Sequence, residues 1–287
     1  MAPAVSVIIP AHAAEATLAR AVASVLAQDF ADWEIVVAAD DEADYRMVLA
    51  AAGIADPRIV FTRTSRPRAG APGTRNAAWA AARGGFAAPL DADDRWLPGR
   101  LSALVPIAAA RGAAADNVLV VEDGTGHAIA TLFPEDGGDR VLDAGGFLAT
   151  SVPIMPIVRR DCMAGWDADV ELCDDLPFNL RTIDRAGGLP VTAAAYHEYR
   201  VRDGSICHSP DSDARADRGY ATCLARLAAD GMGIADPATR EAFRRSLEDK
   251  RALNRAYAEW RDRRGGGTFQ EFVAVRRDLQ NRPVAAI

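Results

Sequence analysis

Lysine is nearly missing from this chain. Of its 33 basic residues only Lys250 is a lysine, and the rest are arginine. Alanine makes up about a fifth of the sequence, and the pairing suggests a GC-rich coding sequence, so runs such as Ala108–Ala110 need no functional reading. Cysteine is sparse as well: Cys162, Cys173, Cys207 and Cys223 form no C-x-x-C pair and match no zinc spacing. They read as ordinary thiols of a reducing compartment. No window approaches the ~18 consecutive apolar residues of a membrane span. The first apolar stretch is interrupted at Pro10 and has no basic region before it, so no secretory leader is expected. A net charge of -7 argues against a nucleic-acid binder. The expected location is the cytoplasm, with room for peripheral contact at the inner face of the membrane.

What remains is the composition of a globular protein, 49% hydrophobic and 25% charged over 287 residues. That is long enough for a full core without disulfides or structural metal. The first half alternates short apolar strands with amphipathic helices. Strands are expected at Val5–Ile9, Glu34–Ala38, Arg58–Thr62 and Phe86–Leu90, and helices at Ala14–Ala27, Ala43–Ala52 and Thr74–Arg83. Such alternation indicates βαβ units and a mainly parallel sheet. Ligands of these sheets bind beyond the carboxyl ends of the strands, so the polar residues after Ile9, Ala38 and Leu90 should share one edge. The second half is less regular: a strand is expected at Val118–Glu122, a loop at Asp136–Gly146 and a helix at Asp174–Arg185. The pattern from Asp213 onward is helical, broken at Gly231-Met232-Gly233 and Gly265-Gly266-Gly267.

Charge is unevenly spread. Residues 237–287 hold 12 basic and 7 acidic groups, a local charge of +5 that leaves -12 on the remainder. The segment reads either as a solvated helix face or as a surface for an anionic membrane or phosphate-bearing acceptor.

Asp91-Ala92-Asp93-Asp94, at a predicted strand end, is the strongest local signal. Two carboxylates one residue apart can share a hard divalent cation such as Mg2+ or Mn2+, which bridges readily to a diphosphate. Aspartate-rich loops also serve as turns and helix caps.

Four segments in order then resemble the family-2 glycosyltransferases: VSVIIPAHAAEATL at Val5–Leu18, EIVVAADD at Glu34–Asp41, GAPGTRNA at Gly70–Ala77, and GFAAPLDADDRWLPGRL at Gly85–Leu101. A fifth lies on the acceptor side, where Gly165-Trp166-Asp167 is followed by Asp174-Asp175-Leu176 and Arg181. The resemblance covers roughly residues 4–205. It implies a GT-A fold, an α/β architecture with a mainly parallel nucleotide-binding sheet flanked by helices. A glycosyltransferase domain over 1–210 would have its nucleotide-sugar half at about 1–101 and its acceptor half at about 102–210, with a helical extension over 211–287.

The resemblance also implies a UDP-sugar donor, Mn2+ or Mg2+, and inverting transfer to a glycan or lipid-linked acceptor. Pro10, Ala11 and His12 would line the lip of the uridine site together with Glu15, and Asp40 would face the base. Arg75 would sit near the base or diphosphate. Asp91 would reach the ribose or the metal, beside Ala92, and Asp93 would be the main metal ligand. Some related enzymes add a late histidine, here His208. Asp175 matches the position of the catalytic base, with Asp174 as the alternate, although acidic residues there can also cap the following helix. His12 and Ala13 replace the usual Tyr and Asn. The run Ala115–Gly124 resembles enzymes of bacterial exopolysaccharide assembly, and glucose is the first expectation for the donor sugar. A nucleotidyltransferase would carry a glycine-rich loop after the first strand, and Pro10–Ala13 has none. A non-catalytic partner on a decayed transferase fold would not need Asp91, Asp93, Asp174 and Asp175 together.

Overall fold

The computed structural model describes residues 2–66, 68–150, 152–202, 211–267, 271, 272 and 275. The chain opens with four strands that carry the predicted apolar runs: β1 (Val5–Ala11), β2 (Trp33–Ala39), β3 (Ile59–Arg63) and β4 (Phe86–Pro89). They pair in parallel in the order β3-β2-β1-β4. Helices α1 (Leu18–Leu26), α2 (Tyr45–Ala51) and α3 (Gly70–Ala81) make the crossovers. Central strands of a parallel sheet are covered on both faces, hence their unbroken hydrophobic sequence; Val5, Val7, Ile8 and Ile9 are all fully buried. Helix α1 turns Leu18, Ala21, Val22 and Val25 into the core, and Asp44 caps α2 by accepting the amides of Arg46 and Met47.

The sheet continues through the second half. After β5 (Arg95–Trp96) and α4 (Arg100–Arg111) come β6 (Ala113–Glu122), β7 (Ala128–Thr131), β8 (Arg140–Leu142), α5 (Ala144–Leu148), β9 (Ile157–Arg159), α6 (Asp175–Ala186) and β10 (Leu189–Val201). Strand β9 lies antiparallel between β4 and β6, and β10 pairs parallel to β6. All of β1, β2, β3, β4, β6 and β10 therefore run the same way, and their carboxyl ends share one edge. Helices α7 (Ser212–Asp230) and α8 (Pro237–Arg264) follow, broken between them at Gly231–Gly233 as expected.

Three expectations change. The segment 136–146 is not all loop: β8 pairs antiparallel to the start of β10, and Asp143 then caps α5 through the Gly146 amide. Helix α3 begins at Gly70 rather than Thr74, because the Asp40 carboxylate accepts the amides of Ala69 and Gly70 and anchors the helix start. Strand β6 begins at Ala113, inside an alanine run with helical propensity, since burial between β9 and β10 outweighs the local preference. Gly84 has a packing role: its amide donates to Ser6 Oγ at 2.8 Å, and a Cβ there would lie 2.6 Å from the Ser6 nitrogen.

The apolar interior has two main parts. One is built from β1, β2, α1, α2 and α4 and reaches Leu90 and Ala92. The other joins Phe147, Trp166, Cys173, Phe178 and Ile183 to Cys223, Phe243 and Leu247 of the last two helices. Trp166 stacks on Phe178 with ring centres 4.5 Å apart. Cys162, Cys173 and Cys223 are buried free thiols, and Cys207 lies outside the described residues.

Candidate active site

The shared carboxyl edge gathers the loops after β1, β2, β4, β6 and β10. The acidic turn Asp91–Asp94 follows β4 directly, held to β1 by the Leu90 amide on the Ile8 carbonyl at 3.0 Å. Asp174 and Asp175 come from elsewhere, at the start of α6. The two groups meet on Arg75 of α3, whose guanidinium donates Nη2 to Asp91 Oδ1 and Nη1 to Asp174 Oδ2, each at 2.6 Å. Arg75 is buried, and its flanking carboxylates raise its pKa above the ordinary value despite the cost of burial. Planar two-ended donation of this kind is particular to arginine.

Asp174 does not cap α6 with its side chain. Burial raises its pKa above the ordinary carboxylate value against the pull of Arg75. Asp175 differs: among the described residues no hydrogen bond or ion pair from another residue reaches its half-buried carboxylate. Burial pushes its pKa up to about 6, helped by the Asp174 charge and opposed by Arg75 and, more weakly, by Lys250 of α8. A carboxylate poised near neutrality with free lone pairs can accept a proton.

Asp93 is also pushed up to about 6, by burial and then by the neighbouring Asp94 and Asp91 charges, with Arg202 opposing. Its carbonyl accepts from Arg20 Nη2 at 2.7 Å, and Arg20 also pairs with Asp123 at the end of β6. Asp94 turns inward, where Nε2 of His197 stands 2.9 Å from it and the Arg200 amide donates to it at 2.9 Å. A small hard cation takes one or two carboxylates and fills its remaining positions with water and substrate phosphate. The half-exposed oxygens of Asp93 suit Mg2+ or Mn2+ on that chemistry, and among the described residues no cluster of three His, Cys, Asp or Glu forms. His208 lies outside the described residues.

At the other end of the edge, Asp40 is buried and accepts from Thr64 Oγ1 at 2.9 Å as well as from Ala69 and Gly70. Two of these bonds fall on Oδ1 and one on Oδ2, which leaves Oδ2 a free acceptor position. Asp41 accepts the Ala13 amide at 2.7 Å and the Tyr45 hydroxyl at 2.8 Å, tying the loop after β1 to that after β2. Burial would raise its pKa, yet these donors hold it below the ordinary value. Ala13 has φ 48°, a conformation that suits asparagine better than alanine. His12 and Glu15 are exposed, Pro10 is half-buried and Ala11 is buried beneath them. Ala92 is buried between Asp91 and Asp93.

The structure thus brings Asp91, Asp174 and Arg75 together directly, with Asp93 and Asp175 adjoining. Arg20, Asp94, Asp123, His197, Arg200 and Arg202 join the site without having been singled out in this role. Their signal was the parallel alignment of β4, β6 and β10, which depends on a pairing across some 80 positions. The Asp116-Asn117 pair is structural. Asp116 binds buried Arg100 at 2.9 Å and the Tyr196 amide, and Asn117 holds Phe133 and the Ala193 carbonyl.

Comparison with known proteins bears on the family and the fold. Over 97 residues the chain is 39% identical to WfgD of Escherichia coli, a UDP-Glc:alpha-D-GlcNAc-diphosphoundecaprenol beta-1,3-glucosyltransferase; the match takes in 34% of this chain and 38% of WfgD. The fold resembles S. aureus TarS 1-349 in complex with UDP-GlcNAc, with TM-score 0.65 and 17% identity over 86% of this chain and 72% of that one. The same TarS segment with UDP gives TM-score 0.55 and 14% identity over 89% and 91%. The family model for glycosyl transferase family 2 matches residues 6–149, half of the sequence, and the chain belongs to that family.

Proposed function

We propose that this protein is an inverting glycosyltransferase that moves glucose from UDP-glucose to a sugar on a lipid-linked diphosphate during bacterial polysaccharide assembly. The observation that carries this reading is Arg75, which holds the donor-side Asp91 and the acceptor-side Asp174 on one guanidinium. In single displacement the leaving group and the base stand on opposite faces of the transferred sugar. The two acidic segments, joined but not merged, suit that demand. The sugar and acceptor classes rest on the name of the E. coli relative.

In this reading the free Oδ2 position of Asp40 accepts the uracil N3–H, a donor that cytosine does not offer. His12 stacks at the lip of the base site, and Glu15, Pro10 and Ala11 shape it. Asp93, with Asp91 beside it, holds Mn2+ or Mg2+, which would neutralise the charge that develops on the departing diphosphate. Asp175 takes the proton of the attacking hydroxyl as the new bond to C1 forms and the bond to UDP breaks. Asp174 is the weaker candidate for this role because Arg75 already engages it. We read residues 1–101 as the donor half and 102–210 as the acceptor half, braced by 211–287. Residues 237–287 would meet the membrane that carries the acceptor, and no described helix is long and apolar enough to cross one. The test is UDP release and product analysis with a panel of UDP-sugars, Mn2+ and a lipid-diphosphate GlcNAc acceptor. Release with UDP-glucose and a product of inverted configuration is expected; no turnover with any UDP-sugar, or retained configuration, would overturn the reading.

A further inference from the structure

We propose that Arg202, which pairs with Asp93, is a ligand of the donor's diphosphate; this rests on the reading of the edge as a nucleotide-sugar site. Both Nε and Nη2 of Arg202 approach one oxygen, Asp93 Oδ2, at 3.1 and 3.0 Å. The antiparallel pairing of β10 with β5, His197 opposite Trp96 and Glu198 opposite Arg95, brings this residue, just past Val201, to the acidic turn that precedes β5.

The arginines around that turn are not equivalent. Arg75 is buried between two carboxylates. Arg200 is 8% exposed and is fixed by Asp123 and Glu198. Arg20 is committed to the Asp93 carbonyl and Asp123. Arg202 is 40% exposed, and among the described residues Asp93 is its one charge partner. Its Nη1 is therefore free to face solvent above the carboxylate.

A guanidinium fork binds phosphate oxygens as well as it binds carboxylate oxygens, and charge-assisted pairing makes either strong. A diphosphate at Asp93 carries more negative charge than one carboxylate, so the fork gains by transferring to it. Arg202 also competes with any cation for Asp93 Oδ2. Removing the side chain must then have opposite effects on two ligands: weaker UDP binding and tighter cation binding.

Calorimetry of UDP and of uridine against wild type, R202A and R202K, in EDTA and in Mn2+, tests this, with Mn2+ titration of the nucleotide-free proteins alongside. In EDTA, R202A should lose about tenfold or more in UDP affinity, the scale of a lost charged hydrogen bond, and R202K should fall between. Uridine affinity should not change, and R202A should bind Mn2+ alone more tightly than wild type. Unchanged UDP affinity in R202A, an equal loss for uridine, or weaker Mn2+ binding would overturn the role of Arg202. Wild type that binds UDP only in Mn2+ would also overturn it. Wild type that binds UDP under neither condition would overturn the nucleotide-sugar reading itself.

Discussion

Arg75 and Asp174 are 99 positions apart in sequence and 2.6 Å apart in space, paired almost out of reach of water. Removing one partner of a buried pair strands the other charge. Arg75→Ala should cost about 3–5 kcal/mol of stability in urea denaturation. Arg75→Lys keeps a cation but cannot span Asp91 and Asp174 together, so it should retain more stability than activity. Wild-type activity in Arg75→Lys would mean that charge alone, not the two-ended geometry, is required.

Asp175→Asn keeps the shape of the base and removes its basicity, so kcat should fall roughly 10²–10⁴-fold while UDP binding stays within a few-fold. The wild-type kcat should rise with pH through about 6, where Asp175 loses its proton. Stability runs the other way. A carboxylate with its folded pKa raised binds more protons folded than unfolded, so its burden on the fold grows as pH climbs from the ordinary carboxylate range to about 6. Asp175→Asn should therefore be more stable than wild type at pH 7–8, by about 1–3 kcal/mol, and the gain should vanish near pH 3.

Asp93→Asn should fold normally and lose turnover, and excess EDTA should silence the wild type. Lowering the pH below about 6 should weaken Mn2+ binding, because a proton then competes for Asp93. Retained activity in EDTA would remove the cation from the reaction.

Asp40 has two separable duties. Its bonds to Thr64, Ala69 and Gly70 hold the start of α3, so Asp40→Ala should lower stability by about 1–3 kcal/mol. Thr64→Val removes one of these bonds and leaves the carboxylate in place. If Asp40 also reads uracil, Asp40→Ala should lose the preference for UDP over CDP and Thr64→Val should keep it.

Residues 237–287 carry a charge of +5, but part of it is paired with the rest of the protein: Arg251 joins Asp217 and Arg261 joins Asp213. Sedimentation with vesicles should show binding that rises with anionic lipid and falls with salt. Binding indifferent to both would leave the segment a bracing role alone.

The donor half was legible because its strands are buried on both faces: Val5–Ile9 and Glu34–Ala38 announce themselves as apolar runs ended by polar residues. The acidic turn and the start of α6 were legible as motifs. Their union on Arg75 was not, because spacing along a chain does not say which guanidinium will reach both. Arg202 was hidden for a different reason: its place depends on β10 pairing with the two-residue strand β5 about a hundred positions earlier, too short a run to read from sequence. Asp116 and Asn117, in the run that resembles exopolysaccharide enzymes, are buried scaffold residues.

The interior is divided, with Leu90 and Ala92 in one apolar cluster and Cys173 in the other. The acidic turn and the start of α6 thus back onto different clusters, joined across the site by Arg75 and beneath it by the continuous sheet. Repacking the cluster of α6, α7 and α8 can reshape the acceptor's surroundings while the nucleotide end keeps its own support. The family match stops at residue 149, short of Asp175. If the proposed division into donor and acceptor halves holds, the first can keep a common donor while the second is refitted, step by step, to new acceptors.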